Sequence, residues 1–383
     1  MEDWRNGGFG IYFHWPFCQS KCPYCDFNSH VSGSVDQDAW GDAYLSEIER
    51  VAAETSGRLV QSIYFGGGTP SLMAPSLVAK ILDRVRLRWS LTNDVEITLE
   101  ANPSSVEIRK FRDFRSAGVN RVSLGVQSLR DDDLRMLGRM HSVSEAKTAI
   151  DVAQSVFERT SFDLIYARQN QDLMAWETEL AEGLAVANGH LSLYQLTIEQ
   201  GTAFGDRYNA GKLRGLPDDD LGADMYFLTQ DMTAAAGLPA YEVSNHAKPG
   251  LESRHNQIYW RYGDYAGIGP GAHSRLTINN QKRAIDTPLG PTQWLDQVAQ
   301  VGHGEKTRLT LSATEQATEY LMMGLRINDG VSLARIESLH NDIFLHKIKN
   351  LQGDGLIEVN SGRLIVTDSG RPLINAIVKE LLP

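Results

Sequence analysis

The sequence predicts an α/β protein: a partial, TIM-like (β/α)6 barrel followed by a smaller α+β module. Short β-rich apolar runs alternate with longer stretches of helical periodicity, the pattern of repeated βα units around a parallel sheet. From about Ser312 the character changes to three helical segments and then two short β-rich runs. The unusual motifs stand at the ends of the β-rich runs, where barrels of this architecture gather their active-site loops.

The six candidate strands are residues 10–14, 62–65, 96–99, 121–124, 162–166 and 191–198. Helical patterns at 38–53, 71–85 and 144–156 lie between them. Together they define a barrel domain over 1–240, joined through a connecting region, 241–311, to a last domain at 312–383. That domain opens with helical patterns at 313–326, 333–339 and 343–352. Gly355-Leu-Ile-Glu-Val and Arg363-Leu-Ile-Val follow, with the turn residues Asn360-Ser361-Gly362 between them, and a final helix spans 372–382. Three helices and a hairpin resemble a winged-helix module, whose usual association is DNA. A formal net charge of −11 argues against a broad nucleic-acid surface. The module is therefore read as a protein-contact or substrate-covering element. The chain has no apolar run of the ~20 residues that span a bilayer, and its first residues lack a basic start followed by an apolar core. The expectation is a cytoplasmic protein whose thiols stay reduced.

All three cysteines fall within eight positions, Cys18-Gln-Ser-Lys-Cys22-Pro-Tyr24-Cys25, a C-x3-C-x2-C spacing. A [4Fe–4S] cluster held wholly by protein takes four cysteines. Three would leave one iron open to a ligand that is not a protein thiolate, which points to redox chemistry on a small molecule. A tetrahedral Cys3His zinc site completed by His14 or His30 uses the same donors. A disulfide with one thiol left over fits a reducing compartment poorly. One βα unit later stands Gly66-Gly67-Gly68-Thr69-Pro70, and glycines let backbone approach a ligand closely.

C-x3-C-x2-C followed by GGGTP resembles the radical S-adenosylmethionine (SAM) superfamily. The resemblance implies that Cys18, Cys22 and Cys25 hold a [4Fe–4S] cluster whose open iron chelates SAM. It also implies that reduction of the cluster, by a flavodoxin- or ferredoxin-type donor, cleaves SAM to a 5′-deoxyadenosyl radical. A narrower resemblance covers most of the chain. Tyr12-Phe-His-Trp-Pro-Phe-Cys18, Glu100-Ala-Asn-Pro103, Ser123-Leu-Gly-Val-Gln-Ser128 and Phe162-Asp-Leu-Ile165 resemble the oxygen-independent coproporphyrinogen oxidase group. Carried over by position, Tyr12 and Tyr24 lie at the cofactor site, Gly67, Gly68 and Thr69 grip SAM, and Glu100 bonds its ribose or amino end. Gln127, Arg139 and Asp163 match further SAM-contacting positions, which in the oxidase belong to a second SAM. Glu100 and Asp163 also resist explanation as packing, because carboxylates are rarely buried unpaired.

Two departures from the oxidase pattern favour the haem-chaperone branch of this group. The oxidases carry a fourth cysteine two positions after the third and a longer amino-terminal region; here Phe27 takes that place and Cys18 comes almost at once. Cys25-Asp-Phe-Asn-Ser-His30 reads like the chaperone branch, and His255-Asn-Gln-Ile-Tyr-Trp260 matches its haem-associated HNxxYW motif. His255 offers an imidazole nitrogen, a common axial ligand of haem iron, and Tyr259 and Trp260 offer porphyrin-packing rings. His273, in the glycine-rich loop that follows, is an alternative ligand. A third departure is local: after Asp163-Leu-Ile-Tyr166 the group carries Gly-Leu-Pro, where this chain has Ala167-Arg168-Gln169. The resemblance thus implies a chaperone that binds haem beside a SAM-coordinated cluster and passes it to respiratory haem proteins, meeting membrane complexes at their periphery. The alternative it leaves open is an enzyme that oxidatively decarboxylates coproporphyrinogen III.

Overall fold

The computed structural model describes residues 3–339 and 345–382. The six predicted strands are present: β1 (Phe9–Trp15), β2 (Leu59–Gly67), β3 (Ser90–Ala101), β4 (Arg121–Gln127), β5 (Arg159–Tyr166) and β6 (His190–Gln195). They lie side by side in chain order and pair in parallel, as repeated right-handed βα units require. The last is shorter than predicted, because the chain leaves the sheet after Gln195. Along β1 the core positions Phe9, Ile11, Phe13 and Trp15 are buried, and Tyr12 faces the cavity described below.

The sheet does not close. Residues 241–311, expected as a connection, add strands to both of its edges. β7 (Asn245–Ala247) pairs antiparallel with β6, and β8 (Asp264–Ile268) pairs in parallel with β1. β9 (His273–Ile278), β10 (Gln281–Asp286) and β11 (Thr307–Thr310) continue antiparallel from β8, giving eleven strands in one open, barrel-like sheet. Asp264 anchors this extension, buried between Arg58 and Lys282 at 2.7 Å from each.

The helices follow the patterning with one correction. The helix predicted at 71–85 is a 3-10 turn, Pro70–Leu72, and then a helix Pro75–Arg88. Pro75 lacks the N–H that a helix interior needs, so it sits at the first turn and the chain breaks before it. Gln37–Glu54 starts at Asp36, whose carboxylate accepts from the N–H of Asp38 and Ala39. Val143–Val156 and Ala313–Gly324 each begin with a reciprocal capping box, Ser142/Glu145 and Ser312/Glu315.

The last module has its own apolar cluster, centred on Leu321, Leu325, Ile336, Leu364 and Ile377 and joined by Tyr262 from the barrel side. Its helices are Ala313–Gly324, Leu333–Leu339 and Leu345–Gly353; the predicted start at Ile343 lies outside the described residues. The hairpin Ile357–Asn360/Arg363–Val366 gains a short third strand, Val331–Ser332, and the chain closes with the helix Ile374–Leu381.

Candidate functional site

The loop after β1 carries the three thiols, and all three line one cavity of about 730 Å³ with Gly67, Gly68 and Thr69. The loop is fixed at both ends. Phe17–Cys18 pairs with His30–Val31, and Asn28 donates through Nδ2 to the carbonyls of Pro270 and Leu289, each at 3.0 Å. The glycine tract is packed as tightly. A Cβ on Gly68 would stand 2.7 Å from the Phe17 carbonyl oxygen, so the glycine is what lets β2 run against the cysteine loop. Gly67 has φ +111°, a conformation that L side chains rarely adopt, and a Cβ there would meet the His14 ring.

Each thiol is half-buried and meets a different side-chain hydroxyl or guanidinium. Thr69 Oγ1 donates to Cys18 Sγ at 3.4 Å, Arg139 Nη1 to Cys22 Sγ at 3.2 Å, and Ser29 Oγ lies 3.8 Å from Cys25 Sγ. Asn102 joins two of these supports. Its Nδ2 donates to Thr69 Oγ1 at 3.2 Å, and its Oδ1 accepts from Arg139 Nη2 at 2.6 Å. A continuous chain, Cys18–Thr69–Asn102–Arg139–Cys22, therefore spans two of the sulfurs. Donors aimed at sulfur favour thiolate over thiol, which a soft metal ligand must be. Burial raises the Cys18 and Cys25 thiols, with the Thr69 and Ser29 hydroxyls opposing it respectively.

The histidines that a zinc site would need are engaged elsewhere. His14 donates through Nε2 to the Asn28 carbonyl at 2.9 Å and accepts at Nδ1 from the Tyr12 hydroxyl at 3.1 Å, so both ring nitrogens are taken. His30 is bonded to Asn28 Oδ1 at 3.1 Å. Among the described residues no three His, Cys, Asp or Glu side chains converge closely enough to hold a single metal ion. Three thiols on one cavity wall, without a fourth protein donor, fit the corners of a cluster with one open iron.

Glu100 ends β3 and ties the glycine tract to the cavity floor. Its carboxylate accepts from the Tyr64 hydroxyl at 2.8 Å and from the Gly67 N–H at 3.2 Å. Burial, reinforced by the Asp163 carboxylate nearby, pushes it up to about 7. Burial pushes Asp163, at β5, up to about 6, with the Ser192 hydroxyl and the Arg121 and Arg139 charges opposing. Gln127, Arg139 and Tyr24 also line the large cavity. Gln127 takes φ +72° at an irregularity in the β4–β5 pairing.

A second cavity, of about 390 Å³, adjoins the first and shares Glu100, Ser123, Asp163, Tyr194, Ser244 and Arg326 with it. Tyr12 and the HNxxYW segment line this second chamber. The segment forms a helix, Arg254–Trp260, started by the Ser253 hydroxyl. His255 is buried and stacks on Tyr64 with ring centroids 4.7 Å apart. Its Nδ1 shares a hydrogen bond with Ser62 Oγ at 2.9 Å and its Nε2 one with the Tyr259 hydroxyl at 3.0 Å. Burial, with the Arg121 charge, lowers its pKa to about 3, so the ring is neutral. Iron ligation by His255 would have to displace one of those two partners. His273 lines neither chamber: it is exposed and pairs with Asp286 at 2.7 Å.

The Ala167-Arg168-Gln169 departure is absorbed locally. Ala167 adopts φ +56°, the left-handed turn that suits glycine. Arg168 is not exposed but buried, pairing with Glu179 and, at 2.7 Å, with Asp133. Sequence reasoning missed Asn28 and Asn102, which position the cysteine loop and its donors, although both stand inside motifs it had singled out. It also missed Arg326 and Arg371, which reach the cavity from the last module.

The sequence profile of the Radical SAM superfamily matches residues 12–174, and that of the HemN C-terminal domain matches residues 311–373. "Heme chaperone HemW" of Escherichia coli (strain K12) is 36% identical over 377 residues, covering 97% of this chain and 97% of its own. The mitochondrial "Radical S-adenosyl methionine domain-containing protein 1" of Danio rerio is 37% identical over 363 residues, covering 94% and 81%. Among solved structures, coproporphyrinogen III oxidase (HemN) from Escherichia coli, a radical SAM enzyme, matches with a TM-score of 0.82 at 23% identity. That match covers 98% of this chain and 90% of the other, and it is a likeness of fold.

Proposed function

This chain belongs to the radical SAM superfamily, in the group that includes HemN and HemW, and we propose that it is a haem chaperone. It binds haem beside a SAM-coordinated [4Fe–4S] cluster and hands it to respiratory haem proteins. The observation that carries this reading is likeness to a named haem chaperone along nearly the whole of both chains. Phe27, where the oxidases have a fourth cysteine, supports it. So does a cavity of about 730 Å³ at the end of the sheet, within the size of sites that enclose small molecules.

When bound, the cluster and SAM supply one-electron cleavage of the sulfonium. The chain's own residues do the holding. Cys18, Cys22 and Cys25 are the cluster ligands, with Thr69 and Arg139 directing donors at two of the sulfurs. Gly67, Gly68, Thr69, Glu100, Gln127 and Asp163 take SAM, and Tyr12 and Tyr24 wall the site. The HNxxYW helix forms the haem end, with His255 as its candidate ligand. Electrons come from a reduced flavodoxin or ferredoxin-type donor. Among the described residues no helix is long and apolar enough to cross a membrane, and the reading places the protein in the cytoplasm, meeting membrane complexes at their surface.

The test is coproporphyrinogen III turnover by the reconstituted protein with reductant and SAM. The reading predicts no decarboxylated product and retention of haem under the same conditions. Sustained turnover would overturn it in favour of the oxidase.

A further inference from the structure

We infer that Arg326 and Arg371 form a carboxylate clamp through which the last module holds the propionate groups of bound haem. The inference rests on the haem reading and adds to it the residues that would recognise the ligand's charged edge. Both residues line the cavity that contains the three thiols, and Arg326 lines the second chamber as well.

Among the described residues the pair lack an ion-pair partner, as do Arg121 and Arg139 on the same two cavities, whose guanidiniums instead bond Thr98, and Cys22 and Asn102. Of the buried arginines elsewhere, Arg58 meets Asp264 and Arg168 meets Glu179. Among the described residues, neither Arg326 nor Arg371 has a carboxylate oxygen within 4.0 Å. Arg371 is buried at 7% exposure, and of its five N–H donors one bond is made, from Nη1 to the Arg326 carbonyl at 2.9 Å. Arg326 is half-buried, its guanidinium 5.6 Å from the centre of the Trp260 ring at the end of the HNxxYW helix.

The acidic groups that face them at longer range are Glu242, toward both, and Asp368, toward Arg371. Glu242 is already engaged, accepting from the Ser244 N–H at 3.0 Å and from Asn245 Nδ2 at 2.5 Å. Arg121, in the second chamber, donates to Thr98 Oγ1 at 3.4 Å and faces Glu100 and Asp163 at longer range. A buried guanidinium without an anion is costly, and a planar fork suits a carboxylate. Two such forks on one cavity fit a ligand with an apolar ring and two carboxylates on one edge.

The experiment titrates the anaerobically reconstituted protein with haem and with iron protoporphyrin IX dimethyl ester, whose propionates carry no charge. The unaltered protein is expected to prefer haem by roughly tenfold or more. The double variant Arg326→Gln/Arg371→Gln should bind haem only as well as the ester, with ester and SAM affinities and the cluster absorbance unchanged. The ester comparison needs no variant, so a poorly folding variant leaves the test standing. Equal affinity of the unaltered protein for the two porphyrins overturns the clamp alone. A fall in SAM affinity in the variant, with haem affinity kept, assigns the arginines to the SAM carboxylate and also overturns it. Binding of neither porphyrin overturns the haem reading, and the clamp falls with it.

Discussion

On the cysteine side of the cavity, three half-buried thiols each meet one side chain from Thr69, Arg139 or Ser29, at 3.2 to 3.8 Å. In the second chamber His255 is buried, stacked on Tyr64, and engaged through both nitrogens. The thiols keep ligand capacity in reserve, whereas the His255 ring has both nitrogens taken. Substitutions on the cysteine side should therefore abolish cofactor binding at little expense to the fold. Substitutions at His255 should damage the fold first.

The largest effect breaks the cysteine wall. Cys18→Ser is expected to lose the iron–sulfur absorbance entirely, while metal-free stability changes by less than about 1 kcal/mol, since one weak bond is altered. Retained absorbance would show that the ligands are misassigned. Gly68→Val follows. The added side chain meets the Phe17 backbone, so the variant should displace the cysteine loop and lower both cluster content and SAM affinity, the latter by roughly tenfold. Unchanged SAM affinity by calorimetry would remove the glycine tract from the site.

His255→Ala sharpens the other half of the comparison. Leaving Ser62, Tyr259 and the Tyr64 face without their partner should destabilise the metal-free protein by about 2–3 kcal/mol in chemical denaturation. A stability change below that of Cys18→Ser would mean that the two walls do not differ as described.

The smallest effect is a pH dependence. Glu100 goes from an ordinary 4.5 to about 7 on folding, and Asp163 from 3.8 to about 6. Between those limits the folded protein binds more protons at these groups than the unfolded chain, so their contribution weakens as pH rises and levels off above about 7. Buried neutral His255 and His246, lowered to about 3 and about 4, act in the opposite sense. The diagnostic is therefore a difference. Relative to Glu100→Gln, the wild-type melting temperature should fall by a few degrees between pH 5 and pH 8, and parallel curves would contradict the raised carboxylate.

The barrel half was legible because parallel strands are local apolar runs, and their order followed the chain. The edge strands β8 to β11 were not, since β8 pairs with residues some 250 positions earlier and periodicity carries no such information. Pro75 marked the helix start that the apolar pattern alone ran through. In the site, cysteine and glycine spacing picked out the loop and the tract that meet on one cavity. Asn102 escaped because a bridging amide looks like any polar turn residue until Thr69 and Arg139 are seen on either side of it. Arg326 and Arg371 escaped for a related reason: an arginine's want of a partner is visible only in three dimensions. At Ala167, where the group carries glycine, the left-handed turn is kept, and Arg168 is buried on carboxylates.

The most direct test of the account is an anaerobic haem titration of the reconstituted protein followed by gel filtration. The account predicts that haem co-elutes at about one per chain and that the cluster absorbance is retained. Haem that separates completely from the protein would contradict it.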